Sequence, residues 1–226
     1  MWDGGVMRAV ALCVVVTIGA VSAARLSGRI VILEKDNKPT PDLGDAVVYL
    51  EEGATAATTA APDTVEIAIT DKTYAPHVVV VPVGSMVRFP NHDPFNHNVF
   101  SVSEPNSFDL GLYGRGETKG QTFTHPGLVR VYCNVHPRMV AYVLVMANRL
   151  YAQPGQDGSF TIENVPPGRH QLHVWHERIP TEVIKEVAAG SDGDLQIALN
   201  ARGYKWQAHR NKYGKNYPTN AGRERY

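Results

Sequence analysis

Along this chain apolar residues come in short alternating or continuous runs, punctuated by Gly, Pro, Asn and Asp. Runs of that length, rich in β-branched residues, predict strands. The pattern places them at residues 29–33, 46–50, 65–70, 78–81, 86–89, 98–102, 118–124, 128–133, 140–146, 149–152, 159–162, 170–176, 182–187 and 195–199. No stretch sustains a 3.6-residue apolar period long enough for a major helix. The expected fold class is therefore all-β, arranged as two sandwiches.

Two segments do not join that pattern. In residues 1–23, Arg8 precedes an apolar run over 9–21 that closes on Val21-Ser22-Ala23, a small-x-small cleavage pattern. That is the layout of a secretory signal peptide. The run is short for a bilayer span, which leaves an uncleaved anchor as the competing reading and no span once the leader is removed. Leu12 before Cys13 argues against a lipoprotein, where a small residue is expected. The destination implied is outside the cytoplasm, with a bacterial periplasm the expected compartment. Residues 53–62 are small and featureless, and read as a linker.

Charge changes the picture at one end only. The chain has 22 basic and 22 acidic side chains, so no whole-molecule field favours nucleic acid. The neutral total hides a split: residues 201–226 hold seven basic side chains against Glu224 alone, while 24–200 hold 14 basic and 20 acidic. Two readings stay open for that tail. It lies on the protein's own acidic surface, anchored by Tyr204, Trp206, Tyr213 and Tyr217, or it is a docking arm for an acidic partner.

The chemistry concentrates around one cysteine. With the leader gone, Cys133 is the only cysteine left. A lone thiol in an oxidising compartment is buried and inert, joined to another chain, or held by a metal. Its neighbourhood reads Cys133-Asn-Val-His136-Pro-Arg-Met139, with His97 thirty-six residues upstream in Asn96-His97-Asn98. A soft thiolate, two imidazoles and a thioether suit copper in either redox state. Cys133 closes a predicted strand and Val140 opens the next, so one tight loop carries three of the four. Zinc seldom takes a thioether, and structural zinc sites usually carry more cysteine. An inert buried thiol with incidental His and Met remains the bland alternative.

On these residues the segment resembles the cupredoxins, the blue-copper family, and its short C-x2-H-x2-M loop is most similar to that of amicyanin. Gly84-Ser-Met-Val-Arg-Phe-Pro-Asn91, His97-Asn98-Val99 and Pro126-Gly-Leu-Val-Arg-Val-Tyr-Cys133 carry the likeness. It implies a Greek-key β-sandwich over 63–147 binding one type 1 copper ion. His97, Cys133 and His136 would be equatorial ligands and Met139 the weak axial one. Asn98 would tie the two ligand loops together, and His136 would be the ligand nearest the surface. His92-Asp93-Pro94-Phe95 is a bulky insertion against that pattern, and 103–120 has no clear place in it. Gly158-Ser-Phe-Thr-Ile with Pro166-Pro-Gly168 resembles the carboxypeptidase-regulatory or transthyretin-like sandwich, as do Gly28-Arg-Ile-Val-Ile and Asp45-Ala-Val-Val-Tyr-Leu50. The expected organisation is that sandwich built from 24–62 with 148–200, the copper domain inserted through it, and a basic tail from 201 to 226. His170, His173 and His176 do not converge on one strand and are expected to be packing or surface residues.

The function expected is an exported blue copper protein carrying single electrons, not an enzyme. Its partner would be a redox protein docking transiently near His136, against Pro94, Phe95, Pro137 and Met139. A copper carrier delivering the ion to an exported enzyme is the alternative. A scaffold whose copper site is vestigial is a third reading. No nucleophile–base pair and no phosphate-binding glycine motif stands out.

Overall fold

The structure is a computed structural model that describes residue 1 and residues 24–35, 38, 40–51, 61–190 and 195–218. The leader from 2 to 23, most of the linker and the end of the tail from 219 lie outside the described residues. The chain is all-β; among the described residues the one helical element is the 3-10 turn Leu43–Asp45.

One pair of sheets gathers strands from both ends of the chain. β1 (Ala24–Leu33) lies between β14 (Ser159–Val165), antiparallel, and β17 (Leu195–Asn200), parallel. Against it packs a sheet ordered β13 (Tyr151–Ala152), β2 (Val47–Leu50), β15 (Arg169–Trp175), β16 (Val183–Ala188). Alternate residues Leu26, Ile30, Val48, Leu50, Ile162, Leu172, Val174 and Leu199 meet in one buried core. A Cβ at Gly28 would sit 2.5 Å from the Leu195 carbonyl oxygen, so only glycine lets β1 and β17 approach there.

The second pair is continuous in sequence. β6 (Val78–Pro82), β12 (Val140–Met146), β11 (Gly127–Cys133), β8 (His97–Ser101) and β9 (Phe108–Tyr113) form a five-stranded sheet in that order. It faces β10 (Thr118–Thr122), β7 (Met86–Pro90) and β3 (Thr64–Glu66), with a hairpin of β4 (Ala68–Thr70) and β5 (Thr73–Ala75) beside them. Val87, Phe89, Val99, Val131, Val143 and Cys133 share that core.

Where the two pairs meet, strands are apolar on both faces. Ala141, Val143 and Val145 of β12 enter the second core, while Tyr142, Leu144 and Met146 turn to a junction with Val47, Val78 and Trp175. This is why residues 140–146 read as an unbroken apolar run: a strand covered on both sides has no solvent face to mark.

The strand pattern departs from expectation in three places. Residues 65–70 are not one strand: either side of the fully buried Ile67, β3 pairs with β7 and β4 with β5, in different sheets. The β4–β5 hairpin turns on Asp71 and Lys72, both at positive φ (53° and 57°), without the Asn-Gly or Asp-Gly pair that signals such a turn. The unplaced stretch 103–120 holds β9, whose pairing with β8 shifts register between Asn98 and Phe100. Asp109 and Gly111 there depress strand propensity and accompany the bulge.

Candidate metal centre

Each candidate donor is placed by a strand end. Cys133 is the last residue of β11 and pairs with Val99 of β8, so His97, two residues back on β8, is its diagonal neighbour on the same inner face. After Cys133 the chain turns tightly: the Asn134 N–H donates to the Asn98 carbonyl at 3.0 Å, and the Met139 N–H to the His136 carbonyl at 3.2 Å. This returns His136 to the cysteine before β12 begins.

The three side chains converge. Cys133 Sγ lies 3.6 Å from His97 Nδ1 and 3.7 Å from His136 Nδ1, and the two Nδ1 atoms are 3.2 Å apart. Among the described residues they are the one group of His, Cys, Asp and Glu with metal-ligand spacing. Metal bonds of about 2.0 Å to imidazole and 2.3 Å to thiolate, at near-trigonal angles, separate the donor atoms by about 3.2–3.8 Å. The observed triangle fits an ion in the middle. Met139, 1% exposed, packs in the same core as Cys133.

The surroundings hold the donors in place and away from water. His97 and Cys133 are fully buried and His136 is 3% exposed. Burial, then the charges of His97 and Lys72, push the His136 imidazole down to about 4, so its ring is neutral at ordinary pH. The Val135 N–H points at Cys133 Sγ at 3.4 Å. On the far side of His97, Nε2 meets the carboxylate of Asp93 at 2.8 Å. Asp93 also accepts the Asp71 N–H at 2.7 Å and the Lys72 N–H at 3.0 Å. Burial alone would raise that carboxyl; the Lys72 N–H, His97 and the Asp71 N–H hold it below the usual carboxylate range. The strained hairpin turn thus supplies two donors that anchor the carboxylate behind His97.

Three features bear on the sequence expectation. His136, at 3% exposure, is the least buried of the four candidate donors, but the inserted Phe95 stands 5.7 Å from its ring and 5.2 Å from that of His97, and Lys72 lies over Phe95. Asn98 ties the ligand loops through its backbone carbonyl, while its side chain donates to Asp109 at 2.6 Å. The described part of the tail lies on the body, the first of its two readings, with Tyr217 donating to the Cys133 carbonyl at 2.7 Å. Asp93 went unrecognised in the sequence, where its only signal was its place four residues before His97; Tyr217 was expected as an anchor of the tail, without its partner. His170, His173 and His176 do not join the cluster: they meet the Pro166 carbonyl, Glu182 and the Asp42 carbonyl respectively.

No protein-family model matches the chain, and no curated protein matches it in sequence. Among solved structures, a Cu-containing nitrite reductase from Thermus scotoductus SA-01 is 29% identical over 36% of this chain and 22% of its own, with a TM-score of 0.35. The chain thus spans about a fifth of that protein. A purple cupredoxin from Nitrosopumilus maritimus is 26% identical over 36% of this chain and 98% of its own, TM-score 0.33. A reduced mutant of amicyanin is 25% identical over 45% of this chain and 99% of its own, TM-score 0.35.

Proposed function

We propose that this protein is an exported copper protein that passes single electrons between partners. The observation that carries the reading is the buried triangle of His97 Nδ1, Cys133 Sγ and His136 Nδ1. In the proposal those atoms hold one type 1 copper ion, with the Met139 thioether as a weak fourth ligand. Bound copper would supply a one-electron couple; the protein's share is to hold the donors still. Two of them sit on paired strands and the third on a turn closed by backbone hydrogen bonds, so the donor set changes little with oxidation state. Asp93 orients the His97 ring by engaging Nε2, which turns Nδ1 toward the centre. Burial of all three donors suits electron passage through the protein wall better than substrate binding. It also favours retention of the ion over delivery to another protein.

Docking of a redox partner is proposed near His136, against Pro94, Phe95 and Pro137, with Phe95 as the contact between surface and site; Met139, 1% exposed, lies in the core and takes no part in that face. Residues 63–147 are proposed as a cupredoxin domain inserted into a transthyretin-like sandwich of 24–62 and 148–200, a reading supported by the pairing of β1 with β14 and β17. The leader pattern at 1–23 supports export to a periplasm. Among the described residues no helix is long and apolar enough to cross a membrane.

The test is a visible absorption and EPR spectrum after addition of Cu(II). The parent protein is expected to show an intense thiolate-to-copper band with narrow copper hyperfine splitting. Cys133→Ser should abolish both, and Met139→Leu should shift the band without removing it. A colourless parent protein, or a spectrum indifferent to Cys133→Ser, overturns the assignment.

A further inference from the structure

The tail does more than lie on an acidic surface. Its described part, 201–218, holds Arg202, Lys205, Arg210, Lys212 and Lys215 and no acid, yet one ion pair serves its central stretch, Lys212 Nζ to Asp109 at 2.5 Å. The other contacts converge on the segment that carries the metal donors. The Tyr217 hydroxyl donates to the backbone carbonyl of Cys133 at 2.7 Å. The Lys212 N–H donates to Asn134 Oδ1 at 3.0 Å. The His209 ring stacks on Tyr132 at 4.3 Å and 21°, with Tyr217 edge-on at 5.3 Å. Trp206 lies under the Arg138 guanidinium at 4.9 Å. Tyr132, Cys133, Asn134 and Arg138 are thus each held by a tail residue.

The ion pair reaches the other donor strand as well. Asp109, which takes Lys212 on one oxygen, takes the Asn98 amide on the other, and Asn98 follows His97. One segment therefore holds the Cys133 backbone directly and reaches the side chain next to His97 through Asp109. Exposure sorts the four aromatic residues of the described tail: Tyr213 is 71% exposed, Trp206 44% and Tyr204 38%, while Tyr217 is half-buried against the loop.

We infer that residues 204–218 are a clamp on the metal loop, with Tyr217 as a positioning residue for Cys133. The inference rests on the metal reading above. A segment that docks on the loop only in its donor-ready shape, and an ion that binds only that shape, stabilise one another. Metal loading then tightens the tail, and an undocked tail loosens the metal by the same factor.

Trypsin reads the first half of that linkage, because Lys205, Arg210, Lys212 and Lys215 lie in the clamp. In the full chain, Cu(II) loading is expected to slow tail cleavage, and Tyr217→Phe to speed it in the metal-free protein. Transfer of copper to a chelator reads the second half. Tyr217→Phe is expected to release copper about 2- to 10-fold faster, the loss of one hydrogen bond to a buried carbonyl, and to shift the thiolate-to-copper band, which a change in overall stability would not move. A chain ending at Gly203 should exceed both effects, and Tyr213→Phe should show neither. Cleavage unaffected by copper, or Tyr217→Phe with parent release rate and spectrum, overturns the clamp. Failure of the metal reading is separately visible. The parent would then bind no copper while Tyr217→Phe still frees the metal-free tail, which overturns the linkage and leaves only the docking.

Discussion

His97 is addressed at both ring nitrogens, Nδ1 by the donor triangle and Nε2 by Asp93. The four proposed ligands were legible in the sequence because ligand chemistry belongs to residue type: few roles suit a Cys, two His and a Met at this spacing. Asp93 was not legible. In Pro90-Asn-His-Asp-Pro94 it reads as a turn residue, and its role depends on N–H groups of Asp71 and Lys72 that only folding brings near. Asp93→Asn keeps the size and removes the charge. Copper affinity is expected to fall about 10- to 100-fold, as for other residues that orient a histidine ligand, measured by competition with a chelator. An affinity equal to the parent's would limit Asp93 to shaping its own loop.

At the scale of elements, β12 is the strand shared by the donor core and the junction. Its odd positions bury into the core that holds Cys133, its even ones into the junction with Val47 and Trp175. Leu144→Ala removes packing from the junction without touching the donor core. It should cost about 2–4 kcal/mol in urea unfolding while leaving the copper spectrum unchanged. A spectral change would mean that junction and metal site are mechanically joined. The apolar run at 140–146 announced the strand, since seven such residues between turn signals suit little else. Strand β9 stayed hidden because Asp109 and Gly111 depress strand propensity, and its bulge beside the site leaves Leu112 exposed.

For the molecule as a whole, an ion pair crosses between the two sheet pairs: His77, just before β6, meets Glu177, just after β15, at 3.0 Å. Burial would lower the His77 pKa, but the hydrogen bond and charge of Glu177, with Asp45, raise it above 6.5. Burial would raise Glu177, but the same bond and charge of His77 hold it below 4.5. The stability from His77 is complete below pH 6.5 and lost as pH rises through its raised value. That from Glu177 is complete above pH 4.5 and lost as pH falls through its lowered value. The pair therefore stabilises the fold most between about pH 4.5 and 6.5. The difference in melting temperature between the parent and His77→Asn should peak in that window and shrink toward alkaline pH. A difference flat from pH 5 to about pH 9 would show that His77 contributes packing alone.

By itself the sequence determined the all-β class, most strand positions and the candidate donor residues. Each of these rests on local information: side-chain period, turn residues, and the affinity of particular atoms for a soft metal. Tertiary structure alone decided that β1 pairs with β14 and β17, that the hairpin at 71–72 anchors Asp93, that Phe95 closes over His136, and that Tyr217 reaches back 84 residues to the Cys133 carbonyl. Those contacts join segments far apart in the chain. A carboxylate, a phenol or a ring carries no mark of its distant partner, and it finds that partner when burial of the two cores fixes where each loop emerges.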